Sequence, residues 1–161
     1  MLLVMKPLVY IETSVVSYLA SRPSRDLVTA AHQELTRQWW DERSQHFELV
    51  ISELVEQEAT RGDAAASRER MATIEHLAIL SMDDDAVLLA EHLVASGLVP
   101  RESAADALHI AVAAVNGVDY LLTWNHKHIA NASHRHRIEA VVEEVGYACP
   151  VICTPEELME D

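Results

Sequence analysis

Three carboxylates stand in the sequence at points where they could act together. Glu12 ends the apolar run LVYI, Glu58 lies six residues after the serine that follows FELVI, and Asp106 begins an alanine-rich helical pattern. Three negative charges held together repel one another unless a cation or protons neutralise them. Carboxylate oxygens without cysteine or clustered histidine suit Mg²⁺ or Mn²⁺ better than zinc. These residues therefore indicate a site where a bound cation activates water and stabilises charge on a phosphate being cleaved.

Each candidate also has a plainer structural interpretation, which the sequence leaves open. Asp106 completes an S-x-x-D capping box with the serine three residues before it, a device worth about 1 kcal/mol. Glu58 taken alone resembles one more charge on a solvated helical face. Asn125 could cap a helix after its strand, and His109, on the same helical face as Asp106, could be a hydrogen-bonded core histidine. Glu12 is the hardest to explain in this way, because it ends an apolar strand.

Apolar runs alternate with helical spacing, and together they predict the elements that position these residues. The predicted strands cover residues 7–11, 47–51, 77–80, 119–123 and 150–153. The predicted helices begin at Thr13 and at Ser52, cover residues 24–43, 63–74, 85–95, 100–116 and 133–145, and start again at 154–157. Gly117 is predicted to end the helix 100–116, and a capping box of Ser81 and Asp84 to begin the helix 85–95.

Alternation of strands and helices predicts a mostly parallel sheet of about five strands, covered on both faces. In such sheets, functional groups gather beyond the carboxyl ends of the strands. Glu12 and Thr13 follow the first strand, while Thr123 and Asn125 end or follow the fourth. The pattern therefore brings these residues to one edge of the sheet.

Length and composition bound the architecture further. The chain has 161 residues, half of them hydrophobic, which fits a single domain over residues 1–161. Residues 1–5 are a candidate N-terminal extension, because Met5 offers a second start. The apolar runs are too short for a membrane span, and the N-terminus is poorly flanked for a secretory signal. Cys149 and Cys153 are the only cysteines, which fits two core residues in a reducing cytoplasm.

Four short motifs occur in a fixed order along almost the whole chain. They are I-E-T-S (11–14), S-x-x-x-x-x-E (52–58), A-D-A-L-H-I-A (105–111) and L-L-T-W-N (121–125). With their strand context, they resemble the PIN domain, and more narrowly the VapC-type toxins of prokaryotic toxin–antitoxin systems. The resemblance extends from about Leu8 to the T-P-E-E-L sequence near the C-terminus.

The resemblance implies a three-layer α/β/α fold and a cytoplasmic, Mg²⁺- or Mn²⁺-dependent ribonuclease that hydrolyses RNA. The metal ligands that it implies are Glu12, Glu58 and Asp106, and the catalytic set adds Asn125. Thr13 and Thr123 match the hydroxyls that help to orient the carboxylates. The resemblance also implies a homodimer and a cognate antitoxin that keeps the toxin inactive.

Two positions depart from the pattern of the family. The first acidic position is normally Asp and is Glu12 here, so the carboxylate lies one methylene further from the backbone. The fourth position is often Asp and is Asn125 here, which brings an amide oxygen without a charge. These departures motivate a second hypothesis, a catalytically weak PIN fold that serves as a binding module or adaptor for RNA or protein.

The charge distribution bears on RNA binding. The formal charge is −14, from 12 basic and 26 acidic residues, which argues against unspecific binding to nucleic acid. However, residues 120–138 include no acidic residue and contain four of the nine histidines. We predict either that this segment meets the RNA backbone or that it is a loop followed by a surface helix. The contact residues expected in the first case are His126, Lys127, His128, Arg135 and Arg137.

Trp39 and Trp40 are adjacent in a predicted helix. Adjacent helical residues lie about 100° apart, so one ring can enter the core while the other stays near the surface. An exposed tryptophan would favour a dimer or antitoxin contact, and a partly buried one is the alternative.

Overall fold

The computed structural model describes residues 4–160 and contains a five-stranded sheet with helices between successive strands. The strands are β1 (Leu8–Ile11), β2 (Glu48–Ser52), β3 (Ala78–Leu80), β4 (Tyr120–Leu122) and β5 (Val151–Cys153). The helices are α1 (Thr13–Ala20), α2 (Leu27–Glu42), α3 (Glu53–Ala59), α4 (Ala64–Ile74), α5 (Asp84–Ala95), α6 (Ala104–Val115) and α7 (Arg135–Val145). Single 3-10 turns at Ser44–His46 and Arg101–Ser103 precede β2 and α6.

The strand order is β3-β2-β1-β4-β5, and all four pairings are parallel. Strands β2 and β3 lie on one side of β1, and strands β4 and β5 lie on the other side. Right-handed crossovers that run in opposite directions place their helices on opposite faces of the sheet. Accordingly, α1 packs against α2, α3 and α4, whereas α5 packs against α6 and α7. The prediction of a parallel α/β/α fold is confirmed, and the switch in direction lies between β1 and β4.

Helix α6 carries Asp106 and His109 and is buried along most of its length. It ends as the sequence predicts, at Gly117, which has a φ of +68°. The N–H of Gly117 donates to the Ala114 carbonyl at 3.2 Å, and the N–H of Val118 donates to the Ala113 carbonyl at 3.0 Å. This pair of bonds is a Schellman motif, which satisfies the last carbonyls of the helix and leads the chain directly into β4.

The predicted capping box before α5 is wrong. Asp83 is the N-cap of α5, and its Oδ1 accepts a hydrogen bond from the N–H of Ala86 at 3.0 Å. Three consecutive aspartates occupy residues 83–85, so a shift of one residue supplies an equally good cap. Ser81 is therefore not needed at this helix start.

The predicted C-terminal helix start forms its cap but no helix within the described residues. The N–H of Glu157 donates to Thr154 Oγ1 at 3.2 Å, and the N–H of Thr154 donates to Glu157 Oε1 at 3.1 Å. These are the two reciprocal bonds of a capping box. Residues 155–158 form a turn instead of a helix.

The ends and cysteines of the chain add three observations. Residues 1–3 of the predicted extension lie outside the described residues, while Val4 and Met5 are exposed. Among residues 4–160, no helix is both long and apolar enough to cross a membrane. Cys149 and Cys153 are free thiols, and burial raises the pKa of each to about 12.

The two adjacent tryptophans separate as their helical spacing predicts. Trp39 is completely buried, and its Nε1 donates to the carbonyl of Leu158 at 3.1 Å. Trp40 is partly buried and packs against the edge of the core. The partly buried alternative is therefore the correct one for Trp40.

Replacing Trp39 with phenylalanine should lower the free energy of unfolding by about 1–3 kcal/mol, because the change leaves a cavity and removes a buried hydrogen bond. Urea unfolding followed by circular dichroism measures this loss. Trp40→Phe is the matched control and should cost less, since its ring is partly solvated. An equal cost for the two variants would contradict the conclusion that Trp39 is buried in the core while Trp40 stays partly solvated.

Candidate active site

Glu12 lies at the carboxyl end of β1, beside the end of β4, and is only 4% exposed. Its Oε1 accepts hydrogen bonds from Thr123 Oγ1 at 2.5 Å and from Ser14 Oγ at 2.8 Å. Its Oε2 accepts from the N–H of Ser14 at 2.5 Å, which makes Glu12 the N-cap of α1. These bonds offset the cost of burying a carboxylate. The hydrogen bond from Thr123 fits its predicted role of orienting the Glu12 carboxylate.

Glu58 lies in α3 and is held from two sides. Its Oε1 accepts from Thr13 Oγ1 at 2.6 Å and lies 2.6 Å from His109 Nε2. Burial acts to raise the pKa of Glu58, but the hydrogen bond and charge of His109 and the hydrogen bond from Thr13 outweigh it and lower the pKa. Glu58 is therefore ionised at neutral pH and is part of a defined network, unlike a charge on a solvated helical face.

A buried chain of hydrogen bonds supports Glu58 from the core. Tyr10 Oη lies 2.7 Å from His109 Nδ1 and 2.6 Å from Ser52 Oγ, and all three residues are 0–1% exposed. An ionised carboxylate only accepts, so His109 Nε2 donates to Glu58; in the neutral imidazole, Nδ1 then accepts the proton of Tyr10. Burial raises the pKa of Tyr10, which keeps its hydroxyl protonated for this bond.

The core-histidine interpretation of His109 is thus the correct one, although its partner is one of the candidate carboxylates. Sequence reasoning missed Tyr10 in the network. A signal was present, because Tyr10 carries the only side-chain polar group in LVYI and a buried tyrosine hydroxyl usually finds a partner. Ser52, where the sequence predicts a helix to begin, is the N-cap of α3 and accepts from the N–H of Val55 at 3.3 Å.

Asp106 lies in the first turn of α6 and pairs with His128, with 2.8 Å between Oδ2 and Nδ1. The alternative capping box is not formed, since the side chain of Ser103 makes no cap hydrogen bond. Asn125 fixes His128, because its Oδ1 accepts from the N–H of His128 at 3.1 Å. The N–H of Asn125 donates in turn to Thr123 Oγ1 at 2.9 Å, which connects Asp106 to the hydroxyl that binds Glu12.

The three carboxylates have the donor chemistry that Mg²⁺ and Mn²⁺ require. Within the described chain, Glu58 Oε2 and Asp106 Oδ1 accept no hydrogen bond, and Glu12 Oε2 accepts one. A carboxylate oxygen has two lone pairs, so each residue keeps capacity for a cation. Among residues 4–160, no group of three or more His, Cys, Asp or Glu side chains is close enough to hold a metal ion. The donor types fit, whereas convergence of the three on one cation stays a prediction.

The five predicted RNA-contact residues lie in residues 120–138, which we call the acid-free segment, and they have different environments. His126, Lys127 and Arg137 are exposed. Arg135 forms a two-pronged salt bridge with Glu157, with N–O distances of 3.0 and 3.2 Å, and His128 pairs with Asp106. Contact with RNA stays a prediction for all five residues, and two of them already have acidic partners within the chain.

Solved structures of VapC toxins resemble this chain. VapC20 from Mycobacterium tuberculosis, a toxin that cleaves the sarcin–ricin loop, matches with a TM-score of 0.58 and 16% identity over 77% of this chain and 95% of its own. A chain of VapBC2 from Rickettsia felis, bound to a DNA fragment from its promoter, matches with a TM-score of 0.54 and 13% identity over 91% of this chain and 98% of its own. No protein-family model and no curated protein matches the sequence significantly. The chain therefore has the fold of VapC-type PIN-domain toxins, as its four motifs predict.

Proposed function

We propose that the chain is a metal-dependent endoribonuclease that hydrolyses RNA phosphodiester bonds and acts as the toxin of a toxin–antitoxin pair. The observation that carries this proposal is the set of three carboxylates, each with a free lone pair, around the switch point of a VapC-type sheet. The activity of VapC20 on the sarcin–ricin loop supports RNA as the substrate class.

We assign Glu12, Glu58 and Asp106 as ligands of Mg²⁺ or Mn²⁺. The chemistry that such a cation supplies when bound is activation of water and stabilisation of negative charge on the phosphate. The contribution of the chain is to hold the carboxylates in a fixed orientation before substrate arrives. Thr123 performs this task for Glu12, and Thr13 performs it for Glu58.

Asn125 contributes an amide at the fourth position. Its Oδ1 already accepts from the N–H of His128, whereas its Nδ2 donates no hydrogen bond within the described chain. An amide N–H₂ can donate to the attacking water or to a phosphate oxygen, which a carboxylate cannot do. We therefore assign Asn125 to orienting one of these two groups.

The competing function is a catalytically weak binding module for RNA or protein. It is favoured by one feature of Glu12, whose Oε1 already accepts two hydrogen bonds and whose Oε2 caps α1. Such a module would bind Mn²⁺ weakly in a calorimetric titration and would bind RNA without cleaving it. Strong divalent binding together with cleavage would exclude this alternative.

We further propose a cognate antitoxin and a homodimer as the protein partners. The VapBC2 structure supports the antitoxin, because it is the structure of a VapB–VapC pair with a similarly folded chain. The charge of −14 favours a partner that presents a basic segment to this chain. Sedimentation of the purified protein, alone and with the product of a neighbouring small reading frame, tests both assignments.

The ribonuclease assignment predicts that cleavage of RNA requires a divalent cation. Protein stripped with EDTA should cut none of a panel of hairpin and single-stranded RNAs, and adding Mg²⁺ or Mn²⁺ should restore cleavage. Gel analysis of end-labelled RNAs measures this result, and re-addition to the same stripped sample separates a metal effect from loss of protein. Cleavage that is equal in EDTA, or absent with both cations on every RNA, would overturn the assignment.

A further inference from the structure

Four aromatic side chains pack together around Trp124, the residue after Thr123, and have no part in the reaction proposed above. Trp124 directly follows Thr123, and its ring is stacked on His32, with centroids 4.1 Å apart and an interplanar angle of 13°. Tyr18 lies 6.3 Å from Trp124 and 6.4 Å from His32, and His126 lies 6.0 and 6.1 Å from the same two rings. We call this group, Tyr18, His32, Trp124 and His126, the aromatic stack.

The inner side of the aromatic stack is fixed to the active site. Trp124 is 6% exposed, and its Nε1 donates to the buried Thr36 Oγ1 at 2.7 Å. The N–H of Trp124 donates to Ser14 Oγ at 2.9 Å, and the Ser14 hydroxyl donates to Glu12 at 2.8 Å. One serine side chain therefore separates the backbone N–H of Trp124 from the Glu12 carboxylate, which places Trp124 of the aromatic stack beside a candidate metal ligand.

The outer side of the aromatic stack faces solvent. His126 is exposed, and Tyr18 and His32 are partly exposed. The N–H of His126 donates to the carbonyl of Trp124 at 2.9 Å, which holds the backbone of His126 in a tight turn beside the other rings. Lys127, the next residue, is also exposed. An exposed aromatic surface with an adjacent cation matches a nucleobase and its phosphate.

We propose that the exposed rim of the aromatic stack, formed by His126 with the edges of His32 and Tyr18, binds one unpaired nucleobase of the RNA next to the cleaved phosphate. This inference rests on the proposed ribonuclease function and adds that the substrate is single-stranded at the bound nucleotide. A base inside a duplex has both faces covered by its neighbours, whereas a loop base can present one face to a protein ring. The aromatic stack therefore selects loops over stems.

The direct test is binding of an RNA hairpin with 2-aminopurine at one unpaired position, whose fluorescence falls on stacking. The protein carries Asp106→Asn in EDTA, so that the RNA stays intact. Adding His126→Ala should remove the quenching and weaken binding by about 5- to 150-fold, the range that corresponds to loss of a single base–aromatic stack. His126→Phe should restore both, because it keeps a ring without the imidazole nitrogens. His136→Ala, an exposed histidine of the same acid-free segment, should change neither.

Two outcomes would overturn the base site. One is equal hairpin binding by the His126→Ala protein and its parent. The other is an equal effect of His126→Ala on the hairpin and on a fully paired duplex. These outcomes can be distinguished from failure of the ribonuclease assignment. If only that assignment fails, wild-type protein cleaves no RNA, while hairpin binding still depends on His126. If both assignments are correct, His126→Ala in the active protein should raise KM for hairpins with little change in kcat.

Discussion

Replacing Asp106 with asparagine should lower metal-dependent RNA cleavage by at least about 100-fold, equivalent to about 2.7 kcal/mol of transition-state stabilisation. The amide keeps the size of the side chain and an oxygen that can accept from His128 Nδ1, but it removes the negative charge. Loss of activity would therefore report on the charge of Asp106 and not on the loss of its contact. Initial rates on a cleavable hairpin RNA with saturating Mn²⁺ measure the effect.

Asp85→Asn is the matched control for this substitution. Asp85 lies in the first turn of α5, as Asp106 lies in the first turn of α6, and its side chain is exposed. Both variants make the same change of charge near a helix N-terminus, so they should cost similar, small amounts of stability. Thermal unfolding followed by circular dichroism checks that both remain folded. Full activity in Asp106→Asn would remove this residue from the site, and an equal loss in Asp85→Asn would assign the effect to overall charge.

The location of the carboxylates could be predicted from the sequence because the end of a buried strand can be recognised from its apolar pattern. An apolar run of four residues ends at Glu12, and in a parallel sheet such an end lies next to the end of a neighbouring strand. The structure places Thr123 within hydrogen-bond distance of Glu12, across 111 residues of sequence. The ends of the first and fourth strands can each be predicted from local sequence. Once the strand order is known, they together specify the contact between Glu12 and Thr123.

The network behind Glu58 could not be predicted in the same way. Tyr10 contacts Ser52 and His109 over separations of 42 and 99 residues, and these contacts require three elements to be in register. No local propensity encodes that register, because it follows from the packing of β1, β2 and α6 against one another. The sequence shows that Tyr10 needs a partner, and only the fold shows which residue supplies it.

His128 illustrates a second limit of sequence reasoning. Its neighbours are basic or neutral, so the composition of the segment favours contact with a polyanion. The acidic partner that it has in the structure is Asp106, which lies 22 residues earlier and on another element. A window free of acidic residues therefore describes the sequence around a histidine and not the surface that the histidine faces.

The second large effect concerns stability. Replacing His109 with alanine should lower the free energy of unfolding by about 3 kcal/mol, because it leaves a cavity in the core and removes two hydrogen bonds. Tyr10 then keeps only Ser52 as a partner, and Glu58 keeps only Thr13. Urea unfolding followed by circular dichroism measures the loss. The exposed His76 supplies the control, since His76→Ala should stay within about 0.5 kcal/mol of the parent.

A double-mutant cycle distinguishes a coupled network from a merely crowded core. If Tyr10 donates to His109, each single variant, Tyr10→Phe or His109→Ala, already breaks their shared bond. The double variant should then cost less than the sum of the two singles, with a coupling of about 0.5–3 kcal/mol. Additive costs would show that the two residues stabilise the core independently. In that case only His109 and Thr13 would hold Glu58 in place, and Tyr10 and Ser52 would contribute only to packing of the core.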